Sequence, residues 1–263
     1  MIVLDKEQPA GIPLLHVVQQ EKMHQKLPTV IFVHGFTSAK EHNLHVAYYL
    51  AEAGIRVLLP EALHHGDRDE GLSEEDLMFS FWKIVIHTIH ELEAIKEYYT
   101  AKEFIEEDKI GLVGTSMGGI VTLGALTQYD WIQSAVSLMG NPSYESFSRW
   151  QMDGIKKSGA PVPLDETEIE KQIASLKPYD LSAQLEKACD VPLLFWHGKL
   201  DQVVPFEHAN DFYYNLRSAY PDAITEFIED EKAGHKVSRE GVLATVEWFE
   251  KHLMNQKVTE KQS

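Results

Sequence analysis

A single cysteine, Cys189, stands in a chain of 263 residues, so no internal disulfide can form. No apolar run approaches the roughly 20 residues that a membrane-spanning helix needs. The amino terminus, Met1-Ile2-Val3-Leu4-Asp5-Lys6-Glu7, lacks a basic segment followed by a long apolar stretch, so it does not read as a signal peptide. Basic residues are scarce: 24 Lys and Arg against 41 Asp and Glu leave a formal net charge of -17. A surface that acidic repels nucleic acid and anionic membranes, and both are excluded as partners on this reading. There is no internal repeat and no low-complexity segment. These absences describe a soluble, cytoplasmic protein. At 44% hydrophobic residues the chain can bury a large core, and its length suits one α/β domain over residues 1–263.

What is present has a rhythm. Residues 12–19 read as an early strand and residues 20–26 as a turn. Residues 28–33 (Pro-Thr-Val-Ile-Phe-Val) are continuously apolar and β-branched, the pattern of a strand buried on both faces. Residues 40–53 are helical and stop at Gly54. Further strands are expected at 55–60, 110–113, 134–140, 191–198 and 223–228. Ser73-Glu74-Glu75-Asp76 begins a capping signal for one long helix reaching about Tyr99. A closing helix covers 237–254, and the polar tail from Asn255 is expected to fray. Strands alternating with helices predict a mostly parallel central sheet covered on both faces, with ligands at the C-terminal strand ends. Residues 141–188 break the rhythm with Pro142, Pro161, Pro163, Pro178 and two amphipathic stretches, 144–157 and 166–176. Their position between two strands predicts a small helical cap insertion above the site.

The chemistry gathers around Gly114-Thr115-Ser116-Met117-Gly118. A strand precedes this Gly-x-Ser-x-Gly and a helix follows, the context of a nucleophile elbow. The glycines let strand and helix approach, and the helix N-terminus favours negative charge beside the Ser. A serine hydroxyl needs a base, and the base needs an orienting carboxylate. Asp201 lies in the loop after the 191–198 strand, at the ligand end. Asp190 lies at the opposite end, and Asp180 falls in the cap. Of the later histidines, His235 sits between the last strand and last helix, while His208 and His252 read as surface residues. An oxyanion hole needs two N–H donors. Met117 supplies one. The His34-Gly35-Phe36 loop supplies the other, assigned to Phe36, with Gly35 or Thr37 as alternatives. His34 itself reads as a structural tie.

Together these elements resemble the α/β-hydrolase superfamily from about Pro28 to His252. Their finer texture is similar to dienelactone hydrolases, to prolyl-oligopeptidase-type catalytic domains and to the YitV-type esterases of bacilli. That last likeness runs through residues 34–45 and through Pro60-Glu61-Ala62-Leu63-His64-His65-Gly66. The resemblance implies an α/β-hydrolase fold and a serine hydrolase that cleaves small-molecule carboxylic esters without a cofactor. Dienelactone hydrolases proper use Cys where this chain has Ser116, which argues against a strict member of that group. No propeller precedes the catalytic portion, which argues against a peptidase. A thioesterase or peptidase would share the same residues, and a non-catalytic binding protein is the alternative of a different class.

Other signals compete. His42/His45 and His87/His90 are spaced to share helix faces, but no acidic residue completes a metal motif, so no metal is expected. His64, His65 and Arg68 could line a substrate pocket, Arg68 meeting an acidic substrate, or could form a structured loop that stabilises a turn. Tyr144, Phe147 and Trp150 could line an acyl or aryl pocket or pack the cap onto the body.

Overall fold

The computed structural model describes residues 1–159, 162 and 164–254. Pro161, Pro163 and the tail from Asn255 lie outside the described residues. Among the described residues, eight strands form one sheet: β1 (Ile2–Glu7), β2 (Leu14–Gln19), β3 (Leu27–Val33), β4 (Arg56–Pro60), β5 (Ile105–Thr115), β6 (Ser134–Leu138), β7 (Leu193–Gly198) and β8 (Thr225–Asp230). Their spatial order is β1-β2-β4-β3-β5-β6-β7-β8. The first two strands are antiparallel to their neighbours, and the rest pair in parallel. Every residue of β3, β4, β6 and β7 is buried, as the continuous apolar runs require. The edge strand β1 is not among the strands expected from the sequence. It has no clean alternation of apolar and polar residues, and its register comes from pairing with β2.

Among the described residues there are eight α-helices. These are α1 (Leu44–Glu52), α2 (Glu74–Phe79), α3 (Phe81–Ala101), α4 (Met117–Ala125), α5 (Tyr144–Ser158), α6 (Glu166–Ser175), α7 (Phe206–Ala219) and α8 (Arg239–Phe249). One core packs α3, α4 and α7 against the sheet, and the other packs α1 and α8 against the opposite face. Ser73 caps α2 by accepting the Asp76 N–H at 3.0 Å. The single long helix expected from Ser73 is instead two. Ser80, at φ -83° and ψ -4°, interrupts the ladder with neither Pro nor Gly to mark the break. Between β6 and β7, α5 and α6 fall close to the expected stretches. Asp165 and Glu168 form a capping box at the start of α6. The Tyr144 hydroxyl donates to the Ile120 carbonyl at 2.6 Å and ties α5 to α4. Among the described residues, no helix is long and apolar enough to cross a membrane.

Candidate active site

β5 delivers Ser116 to the C-terminal edge of the sheet. Its backbone there is φ +56°, ψ -116°, a conformation that costs an L-residue energy and is seen where structure imposes it. The close approach explains Gly114 and Gly118. A Cβ on Gly114 would overlap the Gly118 backbone, and one on Gly118 would overlap the Val33 carbonyl. The Ser116 N–H donates to the Leu138 carbonyl at 2.7 Å, so β6 fixes the turn from the side. Met117 then opens α4.

Two loops bring the partners. Asp201 lies beyond β7 and His235 beyond β8, and the loops are joined where the Leu200 N–H donates to the Ala233 carbonyl at 3.0 Å. Asp201 Oδ1 accepts the N–H groups of Val203 (2.8 Å) and Val204 (3.0 Å). Its Oδ2 accepts from His235 Nδ1 at 2.7 Å. With its proton on Nδ1, His235 offers a lone pair at Nε2, which lies 2.8 Å from Ser116 Oγ. Burial pushes the Asp201 carboxyl up. Hydrogen bonds with His197, His235, Val204 and Val203 outweigh it and hold the group well below the usual carboxylate range. His197 has a part that sequence reasoning did not give it. Buried beneath the loop, it donates Nε2–H to the Val204 carbonyl at 3.0 Å, and Nε2 stands 3.4 Å from Asp201. Its place in Trp196-His197-Gly198, at the end of a buried strand, was the available signal.

Phe36, Ser116 and His235 border a cleft of about 340 Å³, with Val46, Leu138, Met139 and Val242 on its apolar wall. Among the described residues, the N–H groups of Phe36 and Met117 have no hydrogen-bond partner. That of Thr37 is engaged by His65 Nε2 at 2.9 Å, which removes Thr37 as a free donor. His34 ties the loop down through its Nε2, which accepts the Ala62 N–H at 3.0 Å.

The structure does not bring the other expected pocket residues to this cleft. Arg68 forks onto Glu91 at 2.8 and 2.9 Å and reaches the Glu61 carbonyl at 2.9 Å, so its donors serve the loop. His65 is buried under Phe36, and the His64 ring faces the Glu70 carboxylate at 3.2 Å. Tyr144 and Phe147 are buried, and Trp150 stacks on Phe147 at 5.7 Å, packing α5 rather than bordering the cleft. His208 and His252 are not surface residues. The half-buried His208 accepts from Asn141 Nδ2 at 2.7 Å, and His252 is buried against Trp248. His42 bonds Ser38, His87 faces Glu91, and His90 bonds Tyr179. The acidic oxygens of Glu41, Glu61 and Asp67 converge on the ammonium of Lys40.

The arrangement of Ser116, His235 and Asp201 suits transfer of an acyl group through a serine. Comparison with known proteins agrees in class. The sequence matches the prolyl oligopeptidase family over residues 45–256. It is 49% identical over 256 residues to a Bacillus subtilis protein named "Putative esterase YitV", covering 96% of this chain and all of the relative. It is 29% identical over 253 residues to esterase YjfP of Escherichia coli, covering 96% of this chain and all of that one. TT1662 from Thermus thermophilus shares the fold, with a TM-score of 0.76 at 20% identity over 96% of this chain and 98% of that one. The chain therefore belongs to the prolyl oligopeptidase family and is a serine hydrolase with the α/β-hydrolase fold.

Proposed function

We propose that this hydrolase cleaves small carboxylic esters through Ser116, His235 and Asp201, by way of an acyl-enzyme. Ser116 Oγ attacks the ester carbonyl as His235 Nε2 takes its proton. The N–H groups of Phe36 and Met117 receive the developing oxyanion. His235 returns the proton to the leaving alcohol, and water then attacks the acyl-enzyme with His235 again as base. Asp201 stays ionised and holds the imidazole in the tautomer that accepts from Ser116. The observation that carries this reading is the continuous relay from Ser116 Oγ through both ring nitrogens of His235 to Asp201, at 2.8 and 2.7 Å. The apolar wall of the cleft supports a substrate with an uncharged acyl or alcohol group beside the ester.

Residues 141–188 form a cap insertion within a single domain on this reading. No cofactor enters the mechanism. A panel of short-chain esters, thioesters and peptide amides, run against wild type and Ser116→Ala, tests the assignment. Turnover is expected on esters and lost in the variant. A preference for thioesters or amides would move the substrate class while keeping the residues, and equal turnover by Ser116→Ala would remove the mechanism.

A further inference from the structure

The loop after β3 holds a second N–H next to the one assigned to the oxyanion. Thr37 sits at φ +57°, an uncommon conformation for a β-branched residue, and its N–H donates to His65 Nε2 at 2.9 Å. The His65 ring is only 3% exposed. Its Nδ1 donates to the Leu63 carbonyl at 2.8 Å, which leaves Nε2 as an acceptor. Burial, the largest influence, pushes this imidazole below its usual range and keeps it neutral, the form that can accept. The ring also meets Phe36 edge-on at 5.4 Å and lies 5.2 Å from His34.

His65 is itself anchored. Gly66, at φ +46°, lies directly under the Glu61 carboxylate, where any Cβ would overlap it. That carboxylate is buried, accepts the N–H groups of Lys40 (3.1 Å) and Asp67 (3.2 Å), and pairs with the Lys40 ammonium. The two loops are therefore joined twice: at Thr37–His65 beside Phe36, and at Lys40–Glu61 farther along the same segment.

We infer that His65 is a positioning residue for the oxyanion loop. By accepting the Thr37 N–H it holds Thr37 in its left-handed conformation, and so fixes the adjoining Phe36 peptide that presents its N–H to the reacting carbonyl. The inference rests on the reading of Ser116 and Phe36 given under Proposed function. Loss of the acceptor leaves the triad and the apolar wall of Val46, Leu138, Met139 and Val242 in place but frees the Phe36 peptide to relax, so the effect falls mainly on the transition state rather than on substrate binding.

The test compares His65→Gln, which keeps an acceptor at the reach of Nε2, with His65→Met and His65→Leu, which fill space without one. Two acceptor-free variants cover the case in which one fails to fold. On a short-chain p-nitrophenyl ester, Met and Leu are expected to lose about 10- to 100-fold in kcat with KM within about threefold, while Gln stays within about threefold of wild type. Wild-type kcat in Met and Leu, or an equal loss in all three that tracks their melting temperatures, overturns the inference alone. A wild type that neither turns over ester nor labels at Ser116 with a fluorophosphonate overturns the reading of the site, and this inference with it.

Discussion

In the loop after β7, Asp201 gives one carboxylate oxygen to His235 at 2.7 Å and keeps the other for the backbone of Val203 and Val204. The two backbone N–H groups thus aim the carboxylate at His235. Asp201→Asn is expected to keep this loop, because the amide oxygen can still accept the two backbone N–H groups. It loses the acceptor for His235 Nδ1–H and favours the wrong tautomer. Its kcat should fall by about 10³- to 10⁴-fold with little change in melting temperature. Steady-state kinetics beside a thermal melt checks this, and a fall below tenfold would contradict the assigned role.

The elbow makes a steric prediction. At Gly118 an added Cβ meets the Val33 carbonyl, which belongs to a buried central strand and cannot move cheaply. Gly118→Ala should cost roughly 3 kcal/mol or more of stability. Gly154→Ala is the control: nothing lies within 4 Å of that Cβ and the position is helical, so neutral or slightly higher stability is expected. Urea melts of the two variants distinguish a tight turn from a general intolerance of alanine.

Acid stability should depend on Glu61. Burial raises its pKa, but the Lys40 ammonium and the Lys40 N–H outweigh this and bring it to about 2 in the folded chain. A carboxyl with a depressed folded-state pKa contributes stability above its unfolded pKa of about 4.3, and that contribution fades as pH falls toward about 2. Glu61→Gln should be less stable at neutral pH by ~3 kcal/mol, since it leaves the buried Lys40 ammonium short of its partner. Between about pH 4.5 and 2 its stability should fall less steeply than that of wild type. Parallel slopes in denaturant melts across that window would exclude Glu61 as the titrating group.

Arg68 supplies a contrast with a substrate-binding role. Its guanidinium forks onto Glu91 on α3 and is largely buried. Arg68→Gln should lower stability by about 1–3 kcal/mol and leave KM for uncharged and acidic esters changed alike. A selective rise in KM for acidic esters would restore Arg68 to the pocket.

These cases mark what the sequence could carry. The order Ser116, Asp201, His235 was legible because each follows a strand, and parallel strands place such loops at one end of the sheet. The helix break at Ser80 was not legible, because Met78-Phe79-Ser80-Phe81 contains no helix-breaking residue. Arg68 and Glu91 lie 23 positions apart in different elements, so no local pattern announces their pairing. His252 falls near the end of a helix, where exposure is the ordinary expectation, and its burial depends on Trp248 one turn earlier. Thr37 and His65 are 28 positions apart, and their bond follows only once β3 and β4 lie side by side.

In the proposed mechanism Ser116 becomes covalently acylated. Rapid mixing of the protein with a short-chain p-nitrophenyl ester, followed by acid quench and intact-mass and peptide analysis, tests it directly. An adduct of one acyl mass is expected on the peptide carrying Ser116, absent from Ser116→Ala, which should also lose turnover. An adduct on another residue, or full ester hydrolysis by Ser116→Ala, would contradict it.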